Sequence, residues 1–236
     1  MTVTVEDGAV RDESAVTEGQ EPAAQARGSR RRVWWPAALA AAVALGLGVP
    51  ALVSSSSGGP AAAAPAQESA DAGFARDMST HHQQAVDMSF IVRDRTQDPD
   101  VRTLAFDIIN TQANQRGMMT GWLDQWGLTQ HSGAAPMAWM KMDHQFTAHD
   151  GALMPGMATN TDLDKLRSLS GRDAEVLYLQ LMIEHHKGGV GMAQGYLDTG
   201  SDAVEKRLAQ TMVNGQTAEI DLMTSMLDKR GAKPLS

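Results

Sequence analysis

Two short stretches of the sequence carry the same side chains at the same spacing. They are Asp77-Met78-Ser-Thr-His81-His82-Gln-Gln-Ala-Val-Asp-Met88 and Leu181-Met182-Ile-Glu-His185-His186-Lys-Gly-Gly-Val-Gly-Met192. On a helix Met78 lies one turn before the histidines, and Met88 lies two turns after His81 on the same side. Adjacent residues point about 100° apart, so His81 and His82 flank the stripe instead of sharing its centre. The small Ala85 and Gly189 leave room beside it. A donor set of neutral imidazole and thioether suits Cu(I), and imidazole also accepts Cu(II). Zinc or nickel would bind the histidines but gain little from methionine. A single buried histidine is usually a hydrogen-bonded core residue. Four of them, repeated as two pairs with flanking methionines, fit a metal site better.

Two further sets of side chains belong to the same chemistry. Gln112, Gln115, Gln216 and Glu219 fall on the apolar stripes of the following helices. They either hydrogen-bond the far nitrogens of the histidines, as outer groups around metal ligands do, or reach the bundle edge and solvent. Between the two copies lie Met137, Met140, Met142, His144, His149, Met154 and Met157. These are the candidates for a second, weaker copper site on a loop, or else a light methionine cover over the bundle.

The elements that must position these residues come from a duplication. Residues 74–127 align with 178–231 without a gap at a constant offset of 104, and 16 of the 54 pairs are identical. Each copy reads as two helices. Met78, His81, His82, Ala85, Met88 and Val92 follow the i, i+3, i+4, i+7 pattern of a buried helix face. Val101, Leu104, Ala105, Ile108, Gln112, Met119 and Trp122 mark one face of the next helix. Asp98 before Pro99 is an N-cap followed by proline at the first helical position. Asp202 and Glu205 have capping-box spacing, and Gly127 and Gly231 suit helix C-termini. The connector, 128–170, contains a short helix predicted over Thr161–Leu169, capped by Thr161 with Asp164, and Ser170 with Asp173 begins the next helix. Two hairpins that cannot bury both faces alone pair into a four-helix bundle.

The N-terminal quarter is of another kind. Residues 1–32 are polar and end in Arg30, Arg31 and Arg32, and are expected to be a disordered cytoplasmic segment. Residues 33–53 are 21 residues without a charge, opened by Trp34 and Trp35. This is enough for one membrane crossing, with the arginines inside and the remainder outside. A cleaved signal peptide ending near Ala64-Pro65-Ala66 is the competing reading. The first reading gives a single-pass membrane protein with its N-terminus in the cytoplasm, the second a secreted one, and both export the bundle. Residues 54–70 read as a linker and 71–236 as the duplicated bundle.

Composition closes off some classes. A net charge of -8 argues against a nucleic-acid partner. The absence of cysteine removes disulfides and thiolate metal sites. Fifteen methionines against four phenylalanines and two tyrosines fit either a soft core or a supply of thioether ligands.

The doubled Met-x-x-His-His helix and the Met154-Pro-Gly-Met157 segment before the second copy resemble domain-of-unknown-function family 305, over about residues 70–231. The resemblance implies a ferritin-like, usually exported bundle, with some members implicated in copper binding and resistance. The copies differ at Gly191, where the first has Asp87, so two sites of unequal strength are expected. The resulting expectation is an all-α, ferritin-like four-helix bundle of two duplicated hairpins behind one membrane helix. It would be an extracytoplasmic copper-binding protein for metal homeostasis, storage or resistance, Cu(I) favoured over Cu(II), and not an enzyme. A metal-free interaction bundle is the alternative. A di-metal oxidase is a weaker one, because no Glu-x-x-His pair occurs in the sequence. The bundle could be a monomer or a homodimer, and the sequence names no protein partner.

Overall fold

The computed structural model describes residues 63–140 and 146–235. The segments 1–32 and 33–53, most of the linker, and the loop candidates Met142 and His144 lie outside the described residues. Among the described residues the secondary structure is helical: α1 Ala70–Arg95, α2 Pro99–Gln125, α3 Asn160–Ser168, α4 Gly171–Thr199 and α5 Ala203–Lys229. None of these helices is long and apolar enough to cross a membrane.

The duplication is visible in the helix ends. The last residue of α1 and both ends of α2 recur in α4 and α5 at the offset of 104, while α4 begins slightly earlier than the repeat requires. Local chemistry sets these ends. Asp98 accepts a hydrogen bond from the Val101 backbone at 3.0 Å, with Pro99 at the first helical position where a missing N–H costs nothing. Asp202 caps α5 through Val204 and Glu205. Only this half of the box forms, because Glu205 turns inward to Tyr196 instead of back to the cap. Gly127 and Gly231, with φ of 69° and 63°, follow the ends of α2 and α5 in the left-handed conformation that glycine adopts without strain. The short helix starts two residues earlier than expected, since Thr159 and Asp162 form its reciprocal capping box. Ser170 occupies the N-cap position of α4 without a side-chain cap bond.

α2 packs along α1, α5 packs along α4, and the two signature helices α1 and α4 pack against each other as the central pair. They run antiparallel. Phe74, near the start of α1, stacks on Tyr196, near the end of α4, with ring centroids 4.3 Å apart. At the other end Ser89 shares a 2.9 Å hydrogen bond with Tyr178.

The hairpins are also latched at their turns. Asp71 in the first turn of α1 accepts from the Ser201 backbone at 2.7 Å, the Ser201 hydroxyl at 2.6 Å and the Asp202 backbone at 3.1 Å, all in the α4–α5 turn. Its repeat counterpart Glu175 accepts from Thr96 Oγ1 at 2.5 Å, in the α1–α2 turn, and from Arg230 Nε at 2.8 Å. Each signature helix therefore holds the turn of the opposite hairpin.

Two apolar clusters fill the interior. One gathers Phe74, Met78, Met119, Leu123, Met192 and Tyr196. The other gathers Met88, Val92, Ile108, Tyr178, Met182 and Met223. Leu123 takes the fully buried place on α2, and Trp122 packs at the margin.

Candidate metal centre

His81, His82, His185 and His186 are all 0% exposed. They form a polar layer on the central helix pair. The His81 and His185 rings, one from each copy, lie 3.8 Å apart between centroids with a 35° tilt. Because α1 and α4 are antiparallel, the flanking methionines are exchanged between copies. Met78 shares its cluster with Met192, and Met88 shares its cluster with Met182. All four thioethers are buried. The sequence suggests one site per copy, and the fold brings both motifs together at a single interface.

Every imidazole is oriented through Nε2. His81 Nε2 donates to the Pro155 carbonyl at 3.2 Å, and His185 Nε2 donates to the His81 carbonyl at 2.9 Å. His82 Nε2 meets Gln115 Oε1 at 2.7 Å, and His186 Nε2 meets Glu219 Oε2 at 2.6 Å. A carbonyl can only accept, so His81 and His185 carry their proton on Nε2, and the amide and carboxylate oxygens ask the same of His82 and His186. The lone pair is left on Nδ1. In all four residues Nδ1 is buried and has no hydrogen-bond partner in the protein.

Burial keeps the His81, His82 and His185 rings neutral. It lowers His81 to about 3, assisted by repulsion from His82, and lowers His82 to about 4 against the opposing bond from Gln115. His185 falls well below the usual histidine range for the same reason, with repulsion from His81, His186 and His82 added. A neutral imidazole with Nε2–H engaged and Nδ1 open is the form that ligates a metal. An orphaned buried acceptor otherwise costs about 1–3 kcal/mol, and here four occur together. The residues therefore fit a soft metal ion. Among the described residues no three imidazole or carboxylate groups form a metal-holding set by themselves, so the ion would need the thioethers as well.

The outer residues divide. Gln115 and Glu219 orient His82 and His186. Gln112 and Gln216 do not: both amides are buried with nitrogen and oxygen unpartnered, and Gln216 packs over Gly189. Asp87 is exposed and bonded to Gln83, so the Asp87/Gly191 difference lies on the solvent face and does not touch the layer.

Among the described loop candidates the four methionines gather on one apolar cluster and His149 stands apart. Met137 and Met154 are core residues, while Met140 and Met157 are partly buried against the same cluster. Met140 packs over Gly195. His149 is exposed and its Nδ1 donates to the Thr147 carbonyl.

Three contributors escape the sequence reading: the Pro155 carbonyl, Gln84 and Gly188. Gln84 pairs with both backbone groups of Ala158, at 2.9 and 2.7 Å, and so seats the Met154–Met157 segment over His81. A Cβ at Gly188 would strike the Pro155 carbonyl. The available signal is the pair Gln84/Gly188 itself. The repeat breaks there because the one connector meets α1 through the Gln84 amide and α4 through the open backbone at Gly188.

Comparisons with known proteins agree with this geometry. A crystal structure of a DUF305 protein from Streptomyces coelicolor, described as a candidate secreted protein, is 58% identical. It aligns with a TM-score of 0.67 over 72% of this chain and 99% of its own. A DUF305 fragment from Deinococcus radiodurans is 31% identical, with a TM-score of 0.57 over 70% and 99%. CopM in its Cu(II)-bound form is 26% identical, with a TM-score of 0.52 over 70% and 99%. No curated protein matches the chain. The expectation of a membrane-anchored protein is corrected by the 58%-identical relative, which is described as a candidate secreted protein; residues 33–53 themselves lie outside the described residues. The family model matches residues 71–227, and the chain thus belongs to the family described as Domain of unknown function (DUF305).

Proposed function

We propose that this protein is an exported, secreted copper-binding bundle. Its cargo is held by His81, His82, His185 and His186 with Met78, Met88, Met182 and Met192. The observation that carries the reading is the set of four buried Nδ1 lone pairs without partners, beside four buried thioethers. CopM, 26% identical in its Cu(II)-bound form, supports copper as the metal. Thioether and neutral imidazole together favour Cu(I) over Cu(II), and copper over zinc or nickel. The pairing of two hairpins around ligands on facing helices supports a ferritin-like bundle. No catalytic step is assigned, since the donors are not the Glu-x-x-His sets of di-metal oxidases.

The test is the metal content of the protein purified after growth in medium supplied with copper, zinc and nickel together. About two copper ions per chain, lost in the fourfold His81/His82/His185/His186→Ala variant, are expected. Preparations free of copper, or equally loaded in that variant, would overturn the reading.

A further inference from the structure

The two halves of the layer match in geometry and differ in charge. Gln115 and Glu219 stand 33 residues after His82 and His186 respectively, and meet Nε2 at 2.7 and 2.6 Å. One partner is a neutral amide and the other a carboxylate. The surroundings add to the contrast. Arg116, next to Gln115, donates to Gln83 beside His82, while its repeat counterpart is Ile220. Lys187, beside His186, is paired with Glu184 at 2.7 Å. Glu219 also borders a surface groove of about 390 Å³ between α2 and α5, with Asp100, Asp107 and Lys229 on its walls.

The geometry points to Glu219 as the residue that makes the halves unequal, so that the His185/His186 half takes up the first Cu(I) ion and the His81/His82 half the second. This rests on the copper reading above. A carboxylate on the far nitrogen raises the basicity of the ligating one, and its charge offsets that of the arriving cation. An amide in the same place orients the ring without adding charge. The asymmetry does not come from Asp87 or Gly191, which lie away from the layer.

The test is a Cu(I) titration of the full chain against a competing chelator, comparing wild type, Glu219→Gln, Gln115→Glu and the double exchange. Imidazole nitrogen resonances identify which histidines shift in each step, and circular dichroism of each metal-free variant checks the fold. Wild type should load in two steps, His185/His186 first. Glu219→Gln should weaken that step by roughly 10–100-fold, the usual effect of losing such an outer partner, and merge it with the second. Gln115→Glu should strengthen the second step, and the double exchange should reverse the order. A purely packing role for Glu219 predicts no gain from Gln115→Glu. Two ions bound in unchanged order and strength in Glu219→Gln would overturn the inference and leave the copper reading standing. No Cu(I) uptake by wild type would overturn both.

Discussion

The proton on Glu205 illustrates how much single residues in this bundle depend on their partners. Tyr196 lies between two carboxylates, 2.7 Å from Asp71 and 2.8 Å from Glu205, and its one proton can serve only one of them. Asp71 already receives three donors from the α4–α5 turn and stays ionised. Glu205 is buried, its other oxygen has no partner, and burial pushes it up to about 9. The arrangement is thus Glu205 carboxylic acid to Tyr196 oxygen, and Tyr196 hydroxyl to Asp71. Because the folded state keeps a proton that the unfolded state releases near pH 4.5, Glu205 makes stability fall as pH rises, and above the histidine range, from about 6.5 to about 9, that fall stands alone. The slope should reach about 1.4 kcal/mol per pH unit. Urea unfolding of Glu205→Gln should show a flatter profile and greater stability than wild type at pH 8; an unchanged slope would refute the assignment. The histidines act at the other end of the scale. His81 and His82 are held near 3 and 4 against 6.5 when unfolded. Their contribution is present above about pH 6.5 and is lost as pH falls through 4. The metal-free protein should therefore lose stability on acidification below 6.5, and His81→Phe or His82→Leu should reduce that loss. Copper retention should persist to about pH 5, where an unburied histidine site would already be protonated.

At the scale of helices, the turn latches give the sharpest expectation. Asp71→Ala removes four hydrogen bonds to the opposite hairpin and takes the acceptor from the Tyr196 and Ser201 hydroxyls and from the Ser201 and Asp202 backbone N–H groups. Breaking such a buried charged network costs about 3 kcal/mol, read as a drop in the urea midpoint with little change in slope. A change under about 0.5 kcal/mol, the ordinary effect of a surface substitution, would show that the latch does not hold the hairpins. Much at this scale was legible in the sequence. Asp98-Pro99, Asp202, Gly127 and Gly231 encode helix ends through local chemistry that tertiary packing does not alter. The start of α3 was not, because Thr159 with Asp162 and Thr161 with Asp164 carry the same signature and only the surrounding fold selects the first. The same holds for the groups behind the histidines. Gln112 and Gln115 sit three residues apart on one helix face, as do Gln216 and Glu219, and only a distance of less than 3 Å to Nε2 separates them. That methionines trade partners between copies depends on α1 and α4 meeting antiparallel, which no local pattern states.

For the whole molecule, the two apolar clusters and the latches are complete without any ion, so the bundle should fold before it binds. Residues 63–236, which keep Ser69 as the cap of α1, should give a helix-dominated circular dichroism spectrum when metal-free. A coil spectrum turning helical only with metal would contradict this, since it would make the ion part of the core as in small zinc domains. The central claim is that copper resides in the layer between the clusters and not in the connector. It is tested most directly by Cu(I) titration against a competing chelator, with His81→Ala/His82→Ala, His185→Ala/His186→Ala, the fourfold change, and Met137/Met140/Met142→Leu compared with wild type. Each histidine pair should remove a tight component, the fourfold variant should have none, and the connector variant should lose at most weak binding. Full tight stoichiometry in the fourfold variant, with its loss in the connector variant, would contradict the account.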